Sequence, residues 1–249
     1  MPSLFPEPDP PCPICKGFGV LEAKDGRRLV PCRCREVDRL EERRRAARIP
    51  ERYRNCRLAN FNVLPAQNAS ESTIESQRRA RALARRFVDE YPVDQGILIA
   101  GPVGMGKTHL AVAILLELLE TKGVDGVFCD FTDLLERIQA TYGKGVDESA
   151  DEVLAPYRDA PLLVLDELGA RRPTDWARDV LYGLLNTRYN RKRITILTTN
   201  FVDVPSRTGD ETLEARIGTT VRSRLYEMCK LLEISGDDYR RIQKKSIFV

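Results

Sequence analysis

Residues 101–108 read GPVGMGKT, which fits G-x-x-x-x-G-K-[ST] at every fixed position. The context of this stretch decides the fold. GILIA (96–100), just before it, is a short apolar strand, and good helix formers run from Gly106 or Lys107 to about Thr121. A strand, a glycine-rich turn and a helix N-terminus together make a phosphate cradle. Gly101, Gly104 and Gly106 let the backbone wrap an anion, and Pro102, Val103 and Met105 complete the loop. Lys107 is placed to reach β- and γ-phosphates, and the Thr108 hydroxyl to ligate Mg²⁺.

Further along the chain, strand and helix alternate. GVFCD (126–130) reads as a strand and FTDLLERIQATYG as an amphipathic helix. The polar stretch GKGVDESADEV then leads to PLLVLDE (161–167), an apolar run typical of a strand buried on both faces. A helix is expected from about Asp175 to Arg191, then the strand ITILTTN, a helical stretch over 211–228 and a fifth strand at 231–235. Such alternation predicts an α/β fold with a parallel sheet and flanking helices. Ligands gather at the C-terminal edge of such sheets. Asp166 and Glu167 fall there, Asp166 as a Mg²⁺ ligand and Glu167 as the general base for an attacking water. Asn200 ends the next strand, either orienting that water or serving as an ordinary turn residue.

Composition excludes other classes. Lys+Arg 40 against Asp+Glu 37 leaves a net charge of +3, so nucleic-acid affinity must come from local patches. Three basic clusters are candidates: Arg43, Arg44, Arg45 and Arg48; Arg78, Arg79, Arg81, Arg85 and Arg86; and Arg188, Arg191, Lys192 and Arg193. Most charge runs are merely solvated faces. The longest apolar run, near Ala111–Leu119, is broken by Glu117 and too short to span a bilayer, so no membrane role is expected. The single histidine, His109, makes a Ser-His-Asp triad improbable and reads as a packing residue.

Seven cysteines are unevenly spread, which fits a cytoplasmic protein with a metal site better than a disulfide scaffold. Cys12-x-x-Cys15 and Cys32-x-Cys34 supply two close pairs of soft ligands, enough for a tetrahedral Zn²⁺ site. A redox dithiol or iron–sulfur ligation is the alternative. Cys56, Cys129 and Cys229 read as core thiols. Three parts follow: a Cys₄ module over 1–35, a charged helix and linker over 36–75, and a nucleotide-binding core over 76–249.

With the motifs in this order, the chain resembles the AAA+ ATPases and, more narrowly, the replicative helicase loaders of the DnaC/DnaI type. IPERYRNCRLANF (49–61), GPVGMGKTHLA, LLVLDELG, LTTN, RIGTTVRSRLYEM and GDDYRR carry the likeness. The resemblance implies ATP and Mg²⁺ as ligands and hydrolysis as a switch. It implies an arginine finger at Arg224, or else Arg222, donated to the ATP of a neighbouring copy, so that the protein self-associates through the ATP site. It implies a γ-phosphate sensor at Arg240, and a minimal or absent C-terminal lid. Tyr142, Thr174 and Trp176 would face single-stranded DNA, unless Trp176 simply caps its helix against the core. DnaI-type loaders carry an N-terminal zinc module that docks on the hexameric replicative DNA helicase. Their ligand sets can include histidine, whereas here all four ligands would be cysteine. The expected function is helicase loading. The alternatives are an IstB-type transposition helper that binds DNA and a transposase, and a nucleic-acid-binding zinc protein with an inert phosphate loop.

Overall fold

The computed structural model describes residues 12–23, 28–64, 69–143, 148–171, 174–203 and 211–236. Five strands form one parallel sheet: β3 (Gly96–Ala100), β4 (Gly126–Asp130), β5 (Leu162–Leu168), β6 (Ile194–Thr199) and β7 (Cys229–Glu233), in the order β4-β5-β6-β3-β7. A separate antiparallel hairpin, β1 (Val20–Glu22) and β2 (Leu29–Pro31), stands near the N-terminus. Among the described residues, eight α-helices and one 3₁₀ turn (Glu51–Tyr53) complete the order: α1 (Arg33–Ala46), α2 (Glu71–Glu90), α3 (Lys107–Lys122), α4 (Phe131–Ala140), α5 (Ala150–Asp159), α6 (Asp175–Asn190), α7 (Leu213–Ile217) and α8 (Thr219–Met228).

The sheet separates two apolar layers, and strand period decides which residue faces which. Ile97, Ile99, Val164 and Ile196 point to the layer with α2 and α3, while Leu98, Leu163, Leu165 and Leu197 point to the layer with α4, α5, α6 and α8. Both faces are covered, which is why these strands read as continuous apolar runs. Helix α3 is buried nearly all round, with Leu110 to Leu116, Leu118 and Leu119 at 3 % exposure or less, as befits a central helix.

Three expectations needed correction. The polar stretch before β5 contains helix α5, opened by a capping box in which Ser149 and Glu152 satisfy each other's backbone N–H groups. The helical stretch 211–228 is two helices, parted where Gly218 takes φ 83°. The fifth strand lies at 229–233, two residues earlier than its apolar run suggests. The expected part boundaries at 35 and 75 fall inside α1 and α2. Among the described residues no helix is long and apolar enough to cross a membrane.

Candidate nucleotide site and cysteine centre

The phosphate loop leaves β3 at Gly101, where a Cβ would lie 2.0 Å from the Ile234 carbonyl oxygen, so only glycine lets β7 approach this closely. It ends at Gly106, left-handed at φ 84°, which caps α3. A cavity of about 240 Å³ opens over the loop, bordered by Val103, Gly104, Gly106, Lys107, Thr108, Glu167, Thr198 and Asn200. Lys107 Nζ donates to the Pro102 carbonyl at 2.7 Å, which holds the ammonium inside the loop.

Thr108 Oγ1 donates to both Asp166 oxygens, at 2.9 and 3.1 Å, leaving its lone pairs for a cation. Thr198 Oγ1 donates to Asp166 Oδ1 at 2.5 Å and accepts from the Glu167 N–H at 3.0 Å. Burial pushes the Asp166 carboxyl up to about 6, against the pull of these two hydroxyl donors. The hard oxygen donors of Thr108 and Asp166, brought together beside the phosphate cradle, suit Mg²⁺. Glu167 follows on a bulge: Leu165 pairs with Leu197 and Leu168 with Thr199, so Asp166 and Glu167 together oppose Thr198. Glu167 takes φ 57°, and its side chain is exposed at the cavity mouth. Asn200 borders the same cavity from the end of β6. The structure therefore brings together the loop, Asp166, Glu167 and Asn200. Arg240 lies outside the described residues.

The cavity has a wall that motif reading did not supply. Arg52 and Tyr53, from the segment before α2, and His109 border it as well. Phe61 closes the same side, its ring 5.7 Å from that of His109 and against Gly106. His109 Nε2 sits 3.1 Å from the Arg57 carbonyl, so that nitrogen carries the proton. The signal was IPERYR, which carries an aromatic and two arginines ahead of the core.

Arg224 stands away from the cavity residues, on α8. Its guanidinium stacks between Tyr182 and Tyr189, 4.7 and 5.7 Å from the ring centroids, and its Nη1 is buried without a hydrogen-bond partner. Tyr189 in turn donates to Glu227 at 2.9 Å. Arg222 is tied elsewhere, to Asp203 at 2.9 Å.

Tyr142, in the turn after α4, and Trp176 of α6 come together as an edge-on ring pair, with centroids 6.4 Å apart and Trp176 Nε1 3.4 Å from the Tyr142 hydroxyl. Tyr142 is 65 % exposed, while Trp176 packs partly against the core. Thr174 accepts from the Ala177 N–H and caps α6. Part of the basic clusters is engaged with acids: Arg43 with Asp125, Arg44 with Glu120, Arg85 with Glu117 and Arg86 with Glu90. Arg188 leaves the third cluster altogether, because it is wholly buried.

At the other end, the sulfurs of Cys12, Cys15, Cys32 and Cys34 lie within 4.8 Å of one another. The Cys12–Cys32 and Cys15–Cys34 separations are 3.9 and 3.5 Å, far beyond a disulfide. They are close to the edge of a tetrahedron with metal–sulfur bonds of about 2.3 Å, roughly 3.8 Å. Cys12 and Cys15 come from the turn before β1, Cys32 caps α1 and Cys34 sits in its first turn, and the Gly19 N–H donates to Cys15 at 3.2 Å. Burial raises the Cys15 thiol, but that N–H and the Cys34 sulfur pull it down to about 6, while the same contact raises Cys34 to about 12. The donor set fits Zn²⁺. Cys56, Cys129 and Cys229 are buried core thiols, as expected.

The comparisons agree with this geometry. The family described as IstB-like ATP binding protein matches residues 33–247. The insertion sequence IS21 putative ATP-binding protein of Pseudomonas aeruginosa is 33% identical over 154 residues, 61% of this chain and 54% of that one. The replicative helicase loader DnaC of Escherichia coli K12 is 27% identical over 149 residues, 59% of this chain and 56% of its own. The matches thus span little more than half the length of these two relatives. A crystal structure of the DnaC helicase loader superposes with a TM-score of 0.62 at 34% identity, covering 74% of this chain and 99% of that one. The protein belongs to the IstB-like ATP-binding family, within the DnaC-like AAA+ P-loop ATPases.

Proposed function

We propose that the chain is an ATP-driven loader of a hexameric replicative DNA helicase. Nucleotide hydrolysis is its switch. One arrangement carries the enzymatic part: Thr108, Asp166 and Glu167 converge over a phosphate loop at the lip of the sheet. The loop N–H groups and Lys107 hold the phosphates, and Thr108 with Asp166 holds Mg²⁺. The ion, when bound, offsets charge on the β- and γ-phosphate oxygens. Glu167 takes the proton of a water that attacks the γ-phosphorus, and the bond to the β-phosphate oxygen breaks, releasing ADP and phosphate. Asn200 orients that water. Arg224 acts on the ATP of a neighbouring copy, which makes turnover dependent on assembly. Arg240 reads the γ-phosphate.

The four-cysteine module is the feature that favours a loader. Zn²⁺ would cross-link residues 12–34, a segment too small to fold on an apolar core of its own, and it would dock on the helicase. The exposed Tyr142, edge-on to the half-buried Trp176 and with Thr174 nearby in sequence, offers a stacking face to single-stranded DNA. The second reading is an IS21-type helper that binds DNA and a transposase. The 33% identity to the IS21 protein favours it.

Two experiments test the proposal. Lys107→Ala should abolish Mg–ATP binding, and Glu167→Gln should bind ATP without turning it over. Equal hydrolysis by wild type and Glu167→Gln would refute the enzymatic reading. Capture of purified hexameric helicase, set against capture of an IS21-type transposase, in ATP and in ADP, separates loader from helper.

A further inference from the structure

We infer that Thr198 is the positioning residue for Glu167: a single buried hydroxyl that sets the water-activating carboxylate relative to the metal-side carboxylate. The inference rests on the ATPase reading above and assigns a role to a residue whose neighbour, Asn200, drew the attention in sequence. Glu167 sits in the left-handed region on a bulge, a conformation that persists only where the surroundings over-determine it. Among the described residues nothing grips its carboxylate, so the backbone alone aims it. That backbone is held by Thr198, whose hydroxyl uses both of its capacities: the proton goes to Asp166 Oδ1 and a lone pair takes the Glu167 N–H. Thr198 is 1 % exposed, so water cannot replace it. The next residue completes the clamp, because Thr199 Oγ1 donates to the Leu168 carbonyl at 2.8 Å. Residues 166–168 are thus tied to consecutive threonines of β6, and a shift of one carboxylate is passed to the other through one oxygen atom.

The test compares Thr198→Val, which keeps the shape and removes the hydroxyl, with Thr198→Ser, which keeps the hydroxyl. The phosphate loop and Lys107 are untouched, so with Mg²⁺ removed by EDTA Thr198→Val should bind ATP within about threefold of wild type. Its turnover should fall about tenfold or more, as expected for a misplaced catalytic group. Thr198→Ser should retain turnover within about threefold. Unchanged turnover in Thr198→Val, equal losses of binding and turnover, or failure of serine to rescue would each overturn the inference. If wild type and Glu167→Gln hydrolyse ATP alike, the enzymatic reading fails instead. Amide exchange across residues 165–169 then decides the positioning role: it should quicken in Thr198→Val and not in Thr198→Ser, and unchanged protection in Thr198→Val overturns it.

Discussion

Replacing Arg188 by methionine should cost the fold about 4 kcal/mol. The guanidinium is fully buried and, among the described residues, makes no ion pair, Asp159 acting on it only from a distance. Its Nε donates to Thr195 Oγ1 at 3.0 Å, Nη1 to the carbonyls of Tyr157 and Ala160 at 2.8 and 2.9 Å, and Nη2 to that of Ile194 at 2.6 Å. It therefore ties the end of α5 and the entry to β5 to the turn between α6 and β6. Hydrogen bonds from a charged donor contribute about 1.5–3 kcal/mol each. Dehydration opposes them: burial pushes the group well down, to about 9, which at 1.36 kcal/mol per pH unit is roughly 5 kcal/mol. The balance leaves the four bonds ahead by roughly 1–7 kcal/mol, centred near 4. Methionine fills much of the volume but leaves the carbonyls of Tyr157, Arg158, Ala160 and Ile194 without the donor they face. For a chain of this length the loss should lower the melting temperature by roughly 8–16 °C, read by circular dichroism. Arg188 lies at the N-terminal ends of β5 and β6, opposite the nucleotide cavity, so Mg–ATP affinity of the folded variant should match wild type. A melting temperature within about 2 °C of wild type would refute the reasoning, because it would mean that the carbonyls find other donors or that dehydration cancels the bonds.

Three further outcomes follow from the same geometry. Asp166 is raised from 3.8 to about 6 in the folded state, so the fold binds more protons than the unfolded chain between those values and loses stability as pH rises through them; Asp166→Asn should therefore raise the melting temperature at pH 7, by up to about 3 kcal/mol of stability, while Mg²⁺-dependent nucleotide binding disappears in titration calorimetry. Arg224→Ala should bind nucleotide as wild type does and lose DNA- or assembly-stimulated hydrolysis; unaltered stimulation would remove it from the finger role. Cys12→Ser, or chelation of the wild type, should release about one zinc per chain by elemental analysis and unfold the segment around the hairpin, leaving ATP affinity intact; a fall in ATP affinity would contradict a separately folded cysteine module.

Much of this was legible in the sequence. The phosphate loop, Asp166 and Glu167 carry their chemistry in residue type and spacing, and the apolar runs of β3 and β5 needed no tertiary context. Helix α5 was missed because Pro156 and a polar approach masked it, although the Ser149–Glu152 capping box was readable. The split at Gly218 turns on one backbone angle that helix propensity does not register. Thr198 and the wall of Arg52 and Tyr53 depend on which strand lies beside which, and on a long-range return of the chain. Arg188 shows the opposite failure: charge clustering placed it on a surface, whereas carbonyls drew it inside.

The segment that precedes α2 buries Ala47, Ile49, Cys56, Leu58 and Phe61 in the core and adds ion pairs at its rim: Arg44 and Arg57 share Glu120 of α3, and Arg43 reaches Asp125 just beyond it. Dissolved salt weakens such partly exposed pairs and leaves the apolar layers untouched. A polyanion drawn to those arginines meets carboxylates already in place. A nucleic-acid strand that takes these arginines therefore competes with Glu120 and Asp125 for the same positive charges.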